Sequence, residues 1–127
     1  MRKQYHFQPS DHGLLAWDVD HLVELSKGLL RIHVPLVDIR ELDQTFWFDA
    51  KGDMPTCRRI ALHAKLINET DLGPPIILSQ DGRVMDGMHR VCRALIEGME
   101  TIQAVQFEEC PEPDYIDVSP DDLPYSQ

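Results

Sequence analysis

The residues best suited to chemistry in this chain lie together, at Asp86-Gly87-Met88-His89-Arg90. The Asp-Gly pair predicts a tight turn. His89 and Arg90 then open an amphipathic pattern that places Val91, Cys92, Leu95 and Ile96 inward and ends near Gly98, which predicts a helix. The first turn of a helix carries backbone N–H groups with no internal partner, at the positive end of the macrodipole. A glycine just before it lets the backbone approach an anion closely, and arginine adds a forked donor that matches phosphate. The turn therefore reads as a holder of phosphate oxygens through Gly87, Met88, His89 and Arg90, with Arg93 one turn further on extending it.

Each of these side chains also has a structural reading. A guanidinium in a first helical turn opposes the macrodipole by roughly a few tenths of a kcal/mol, and an anionic ligand would reverse that sign. The alternative pairs Arg90 with Asp86 or Glu97. His89 can donate to a phosphate oxygen, or pack as a neutral, hydrogen-bonded residue under the turn. Asp86 can position magnesium, accept a hydroxyl proton, or cap the helix that follows. Arg58 and Arg59 either face a phosphate from across a cleft or form a solvent face, and His63 reads as structural. No His or Cys pair shows metal-ligand spacing, so the expected metal is limited to magnesium carried by a nucleotide.

Several elements must position this turn. Residues 1–17 are polar and irregular and predict an arm docking Leu14, Leu15 and Trp17 on the body. Asp18 or Asp20 can cap a short helix to about Ser26, with Leu22, Val23 and Leu25 inward and Gly28 past its end. Ile32 and Val34 predict a strand leading to Pro35. Leu36 to Leu42 fits a strand continuation or a helical turn. Phe46, Trp47 and Phe48 follow in a loop with Gly52 and Pro55, and three consecutive aromatics cannot all face one core. Thr56 can cap a helix whose inward stripe is Cys57, Ile60, Ala61, Ala64 and Ile67, stopping before Gly73-Pro74-Pro75. Ile76–Leu78 and Arg83–Met85 predict an antiparallel pair around Gln80-Asp81-Gly82. Residues 101–107 predict a last strand with Ile102 and Ala104 inward. From Glu108 onward, four prolines and seven acids predict an extended tail, with Tyr115, Ile116 and Leu123 as tethers. The order implies an α+β domain with a small mixed sheet flanked by helices. The expected organisation is an arm and short helix over 1–29, a domain over 30–107 and an acidic tail over 108–127.

Composition narrows the function classes. The chain has 127 residues, enough for one core, and no apolar run long enough to cross a bilayer. Its start lacks the apolar centre of a signal peptide, so a cytoplasmic location is expected. Cys57, Cys92 and Cys110 are odd in number and widely spaced, which argues against a disulfide framework; buried thiols are expected at Cys57 and Cys92. Net charge is −10. All 12 Lys and Arg lie in residues 1–93, beside 13 acids, whereas residues 94–127 hold 9 acids and no base. A near-neutral body with an acidic tail builds no basic face, so duplex DNA is an unfavourable partner and a basic protein surface is a conceivable one for the tail.

The Asp86-to-Arg90 turn, with Ala94-Leu95, Gly98 and a closing strand, resembles the ParB/sulfiredoxin-like superfamily over residues 30–107. Three branches imply different activities. Sulfiredoxins attack with a cysteine where this chain has Met88, which removes that reaction. ParB proteins bind CTP with a Gly-Glu-Arg-Arg turn and continue into a helix-turn-helix domain, where this chain has its acidic tail. The ParB-like free-serine kinases carry Asp-Gly-His-His-Arg, matched at Asp86, Gly87, His89 and Arg90 but not at Met88. The resemblance implies phosphate binding by this turn, a chemical role for Asp86 and His89, and a base at Glu41 or Asp43. The expectation is a stand-alone domain that binds a nucleotide (ATP, ADP or CTP with magnesium) or another phosphate-bearing small molecule. Phosphotransferase or nucleotide hydrolase activity would follow from the same parts. The rivals are a non-catalytic interaction module using the acidic tail, and a ParB-like DNA-associated protein or nuclease.

Overall fold

Ile76, Ile77 and Leu78 form a continuous apolar run, and all three are buried. Successive strand residues face opposite sides, so such a run requires a sheet covered on both faces. The computed structural model, which describes residues 3–48 and 54–126, has this arrangement. A four-stranded mixed sheet runs β3 (Ile32–Pro35), β6 (Thr101–Gln106), β4 (Ile76–Leu78), β5 (Val84–Asp86). β4 is antiparallel to β5 and parallel to β6, and β6 is antiparallel to β3.

On one face, Ile76, Leu78, Val84, Ile102 and Ala104 pack with Met88, Val91 and Ala94 of α3 (Met88–Ile96). Leu36 and Ile39 complete that cluster from the 3-10 turns at Leu36–Asp38 and Arg40–Asp43. On the other face, Ile77, Met85 and Val105 pack with Trp17 and Leu22. Leu22 comes from α1 (Val19–Ser26), capped by Asp18, whose carboxylate accepts the Asp20 N–H at 2.9 Å. The α+β class with a small mixed sheet between helices is therefore the fold of the chain.

The chain ends depart from expectation. Residues 5–18 are not an irregular arm but a hairpin, β1 (Tyr5–Ser10) and β2 (Gly13–Asp18), turning at Asp11-His12. β6 is not the last strand, because β7 (Tyr115–Ile116) pairs antiparallel with β2 to make a second, three-stranded sheet. Pairing with β2 fixes the acidic tail where composition alone suggested a solvated coil. Leu123 is buried, and the Trp17 indole N–H donates to the Pro111 carbonyl at 2.8 Å.

The helical faces also need correction. α2 (Cys57–Glu69) starts at the Thr56 cap as expected, with Thr56 Oγ1 accepting the Arg59 N–H, yet contains no buried residue. Its half-buried positions are Arg59, His63 and Ile67, spaced four apart, while Cys57, Ile60, Ala61 and Ala64 are exposed. In α3, the i, i+3 seam of Met88, Val91 and Ala94 is buried; Leu95 and Ile96 are 53% and 74% exposed. An apolar period identifies a helix, but here aromatic rings from another segment decide which side is covered. Gly52 lies outside the described residues.

Candidate functional site

Gly87 adopts φ +106°, a left-handed conformation that favours glycine. A Cβ there would lie 2.6 Å from Ile76 Cγ2, so the turn presses directly on β4. No side chain caps α3, and its first helical bond runs from the Val91 N–H to the Gly87 carbonyl. The N–H groups of Met88, His89 and Arg90 precede that ladder. These three residues line a groove of about 1160 Å³, together with β1, β5, the Arg40-to-Trp47 segment and the end of α2. The Met88 side chain turns away into the core, leaving its backbone to the turn.

The two arginines expected to bind the ligand are engaged inside the protein. Arg90 donates from Nη1 to the carbonyls of Pro74 and Pro75, at 2.9 and 2.6 Å, and from Nη2 to Asp86 Oδ2 at 2.9 Å. That ion pair is largely shielded, with side-chain exposures of 14% and 17%. Arg93 donates to the carbonyls of Asn68 and Thr70, at 2.6 and 3.0 Å, and reaches Glu97 at 3.4 Å. These carbonyls belong to the end of α2 and the proline loop after it, where no following turn supplies donors. Both side chains thus tie α3 to the preceding segment. The paired state of Arg90 is the structural alternative for that residue, and Asp86 is its counter-ion rather than a helix cap.

Other cations take their place at the groove. Arg40 and Arg83 both line it and converge on Asp81. Arg40 donates to the Asp81 carbonyl, and Arg83 Nε lies 3.1 Å from Asp81 Oδ2. Both are about half exposed, so neither is locked in place. These residues escape sequence reasoning because 43 positions separate them; the tight Gln80-Asp81-Gly82 turn is the only local signal. Of the two candidate acids, Asp43 is exposed, whereas Glu41 is buried on the groove wall. Glu41 Oε2 accepts the Val84 N–H at 2.9 Å, and its Oε1 is buried without a hydrogen-bond partner. Arg58 is exposed, and the Arg59 guanidinium lies 5.9 Å from the Phe48 ring centre.

His89 joins a cluster that the sequence does not announce. His63 Nδ1 and His89 Nε2 are 2.9 Å apart, with ring planes 21° from parallel and ring centres 5.2 Å apart. With nitrogens so close, centres that far apart require rings pointing edge to edge. A shared metal ion would bend the pair around itself and draw the centres together, so the geometry is that of an N–H···N hydrogen bond. The Trp47 indole roofs both rings, 4.2 Å from His63 and 4.5 Å from His89 between centres and within 18° of parallel. Burial, then the charge of His63, pushes His89 down to about 4. Burial, then Arg59, lowers His63. Both rings are therefore neutral near pH 7.

Among the described residues, no three His, Cys, Asp or Glu side chains gather as a metal-binding group. No helix among them is long and apolar enough to cross a membrane. No protein-family model, curated protein or solved structure matches the chain in comparison.

Proposed function

We propose that the groove at the start of α3 binds a nucleotide, or another small molecule bearing phosphate, in a ParB/sulfiredoxin-like domain. ATP, ADP or CTP with magnesium is the expected ligand set. The phosphate would meet the N–H groups of Met88, His89 and Arg90, with Arg40 and Arg83 supplying positive charge in place of Arg90. Arg90 and Arg93 support the turn instead of touching the ligand.

The observation that carries this reading is Glu41, which lines the groove beside the start of α3 and has a buried carboxylate oxygen, Oε1, with no hydrogen-bond partner. An unsatisfied buried carboxylate costs free energy in the unliganded protein, and a ligand hydroxyl or a nucleotide-borne magnesium would relieve it. A hydroxyl accepted there beside a held phosphate is what phosphoryl transfer requires, since that chemistry is mostly positioning and charge stabilisation. Phosphotransferase or nucleotide hydrolase activity is thus the chemistry this reading assigns, with Glu41 as base.

Calorimetry with ATP, ADP and CTP plus magnesium tests it. Binding by at least one nucleotide is expected, weakened about tenfold by Arg83→Ala, with turnover lost in Glu41→Gln while binding remains. A folded protein that binds none of them contradicts it.

A second reading is favoured by the exposed carboxylates of Glu108, Glu109, Glu112, Asp121 and Asp122 on the fixed tail. They would suit a basic protein surface, with binding that weakens steeply with salt. The free thiols of Cys57, Cys92 and Cys110 agree with a reducing, cytoplasmic setting.

A further inference from the structure

A second, smaller cavity of about 140 Å³ adjoins the groove. Glu41, Phe46, Trp47 and Met88 line both spaces, and Leu42, Phe48 and Cys92 complete the apolar lining of the smaller one. Trp47 is met edge-on by Phe46 and stacks on His63 and His89, so this wall has a fixed position. Among the described residues lining the cavity, Glu41 is the only buried polar one; Gln44 and Thr45 are exposed. None of them is basic.

These walls select a narrow class of occupant. Glu41 Oε2 is committed to the Val84 N–H, whereas Oε1 is buried with no partner and asks for one donor. A polyol would bring further hydroxyls that the rings and Met88 cannot pair, and each would be left unsatisfied. An amino acid such as serine would bring a carboxylate beside Glu41, with no cation in the lining to meet it. At ~30 Å³ for a water-sized group, the cavity holds about five such groups. We infer that this cavity is an acceptor subsite of the groove, taking a small apolar alcohol whose hydroxyl donates to Glu41 Oε1. The inference rests on the groove reading above for the phosphate donor. Glu41 takes the hydroxyl proton as the alcohol oxygen bonds to the terminal phosphorus of the nucleotide. The bond from that phosphorus to its bridging oxygen breaks, and the nucleotide, one phosphate shorter, leaves with the electron pair. The other product is an alkyl phosphate, and the proton passes from Glu41 to solvent.

Phosphorus-31 NMR of the full chain follows the transfer, with magnesium and whichever of ATP, ADP or CTP binds by calorimetry. The acceptors are 3-methylbutan-1-ol, serine and glycerol. The expected product is 3-methylbutyl phosphate, with kcat/KM at least about tenfold above either polar acceptor and falling about fourfold for each methylene removed. Cys92 lines the cavity but not the groove. Cys92→Leu, which fills the cavity, should therefore shift the preference to ethanol while nucleotide affinity stays at the wild-type value. Cys92→Ala, which enlarges it, should shift the preference to hexan-1-ol, and decides the matter if the Leu variant does not fold. Serine or glycerol as the better acceptor, no alkyl phosphate from any of the alcohols, or an unchanged chain-length preference in the Cys92 variants overturns the inference while bound nucleotide upholds the groove reading. A folded protein that binds no nucleotide overturns both.

Discussion

Two half-buried histidines make the protein sensitive to acid between about pH 6.5 and 4. His6 is pushed down to about 4 by burial and then by Arg83; His89 reaches about 4 through burial and then His63. Their folded values lie below the ordinary value of 6.5, so the unfolded chain binds more protons between pH 6.5 and 4. Stability is complete above about 6.5 and falls as pH drops toward 4, by on the order of 2 kcal/mol per histidine. Urea midpoints at pH 7.5, 6.0 and 4.5 check this; a midpoint unchanged from 7.5 to 4.5 contradicts it. The carboxylates of Asp18 and Asp81 are lowered instead, so their loss belongs to a more acid range. At Gly87, alanine meets both the left-handed backbone and the Ile76 side chain, and about 2–4 kcal/mol of destabilisation is expected in thermal unfolding. The need for glycine there was legible in the sequence. Its cause, contact with β4, was not, because Ile76 lies 11 positions away and nothing local marks the approach.

At the scale of elements, α2 is held by its ends and by one ring cluster rather than by a buried stripe. Thr56 caps its start, the His63–His89 bond and Trp47 hold its middle, and Arg93 hydrogen-bonds its last carbonyls. Arg93→Ala should therefore cost about 1–3 kcal/mol, and hydrogen exchange should rise across α2 while the amides of β4 and β6 stay protected. Uniform loss of protection throughout the chain would contradict that division. The bounds of α2 and α3 could be read from Thr56, Gly98 and the proline loop, since caps and breakers act through nearby backbone. Their buried sides could not, because Trp47 and the proline carbonyls reach them from other segments. Glu41 lay between these cases: a candidate acid by resemblance, separable from Asp43 only by burial.

For the whole molecule, the two chain ends close one sheet over the central one. Tyr115 and Tyr125 meet Tyr5 edge-on, Asp114 accepts the Asp18 N–H and bonds His21, and Leu123 is buried. A chain cut after Phe107 should unfold at lower temperature, with earlier loss of the Trp17 fluorescence signal; unchanged unfolding would mean the tail contributes nothing. Mean composition concealed this, because a run of acids and prolines reads as solvated whenever its few apolar residues are counted alone. The groove between the sheets, bounded by β1 on one side and α3 on the other, depends on that closure. Titrating the nitrogen-15-labelled full chain with ATP and magnesium, and following each backbone amide, probes that groove most directly. Saturating shifts at Met88, His89, Arg90 and Val84 are expected; no shift at these four, or shifts confined to the acidic tail, would show that the start of α3 is not a phosphate site.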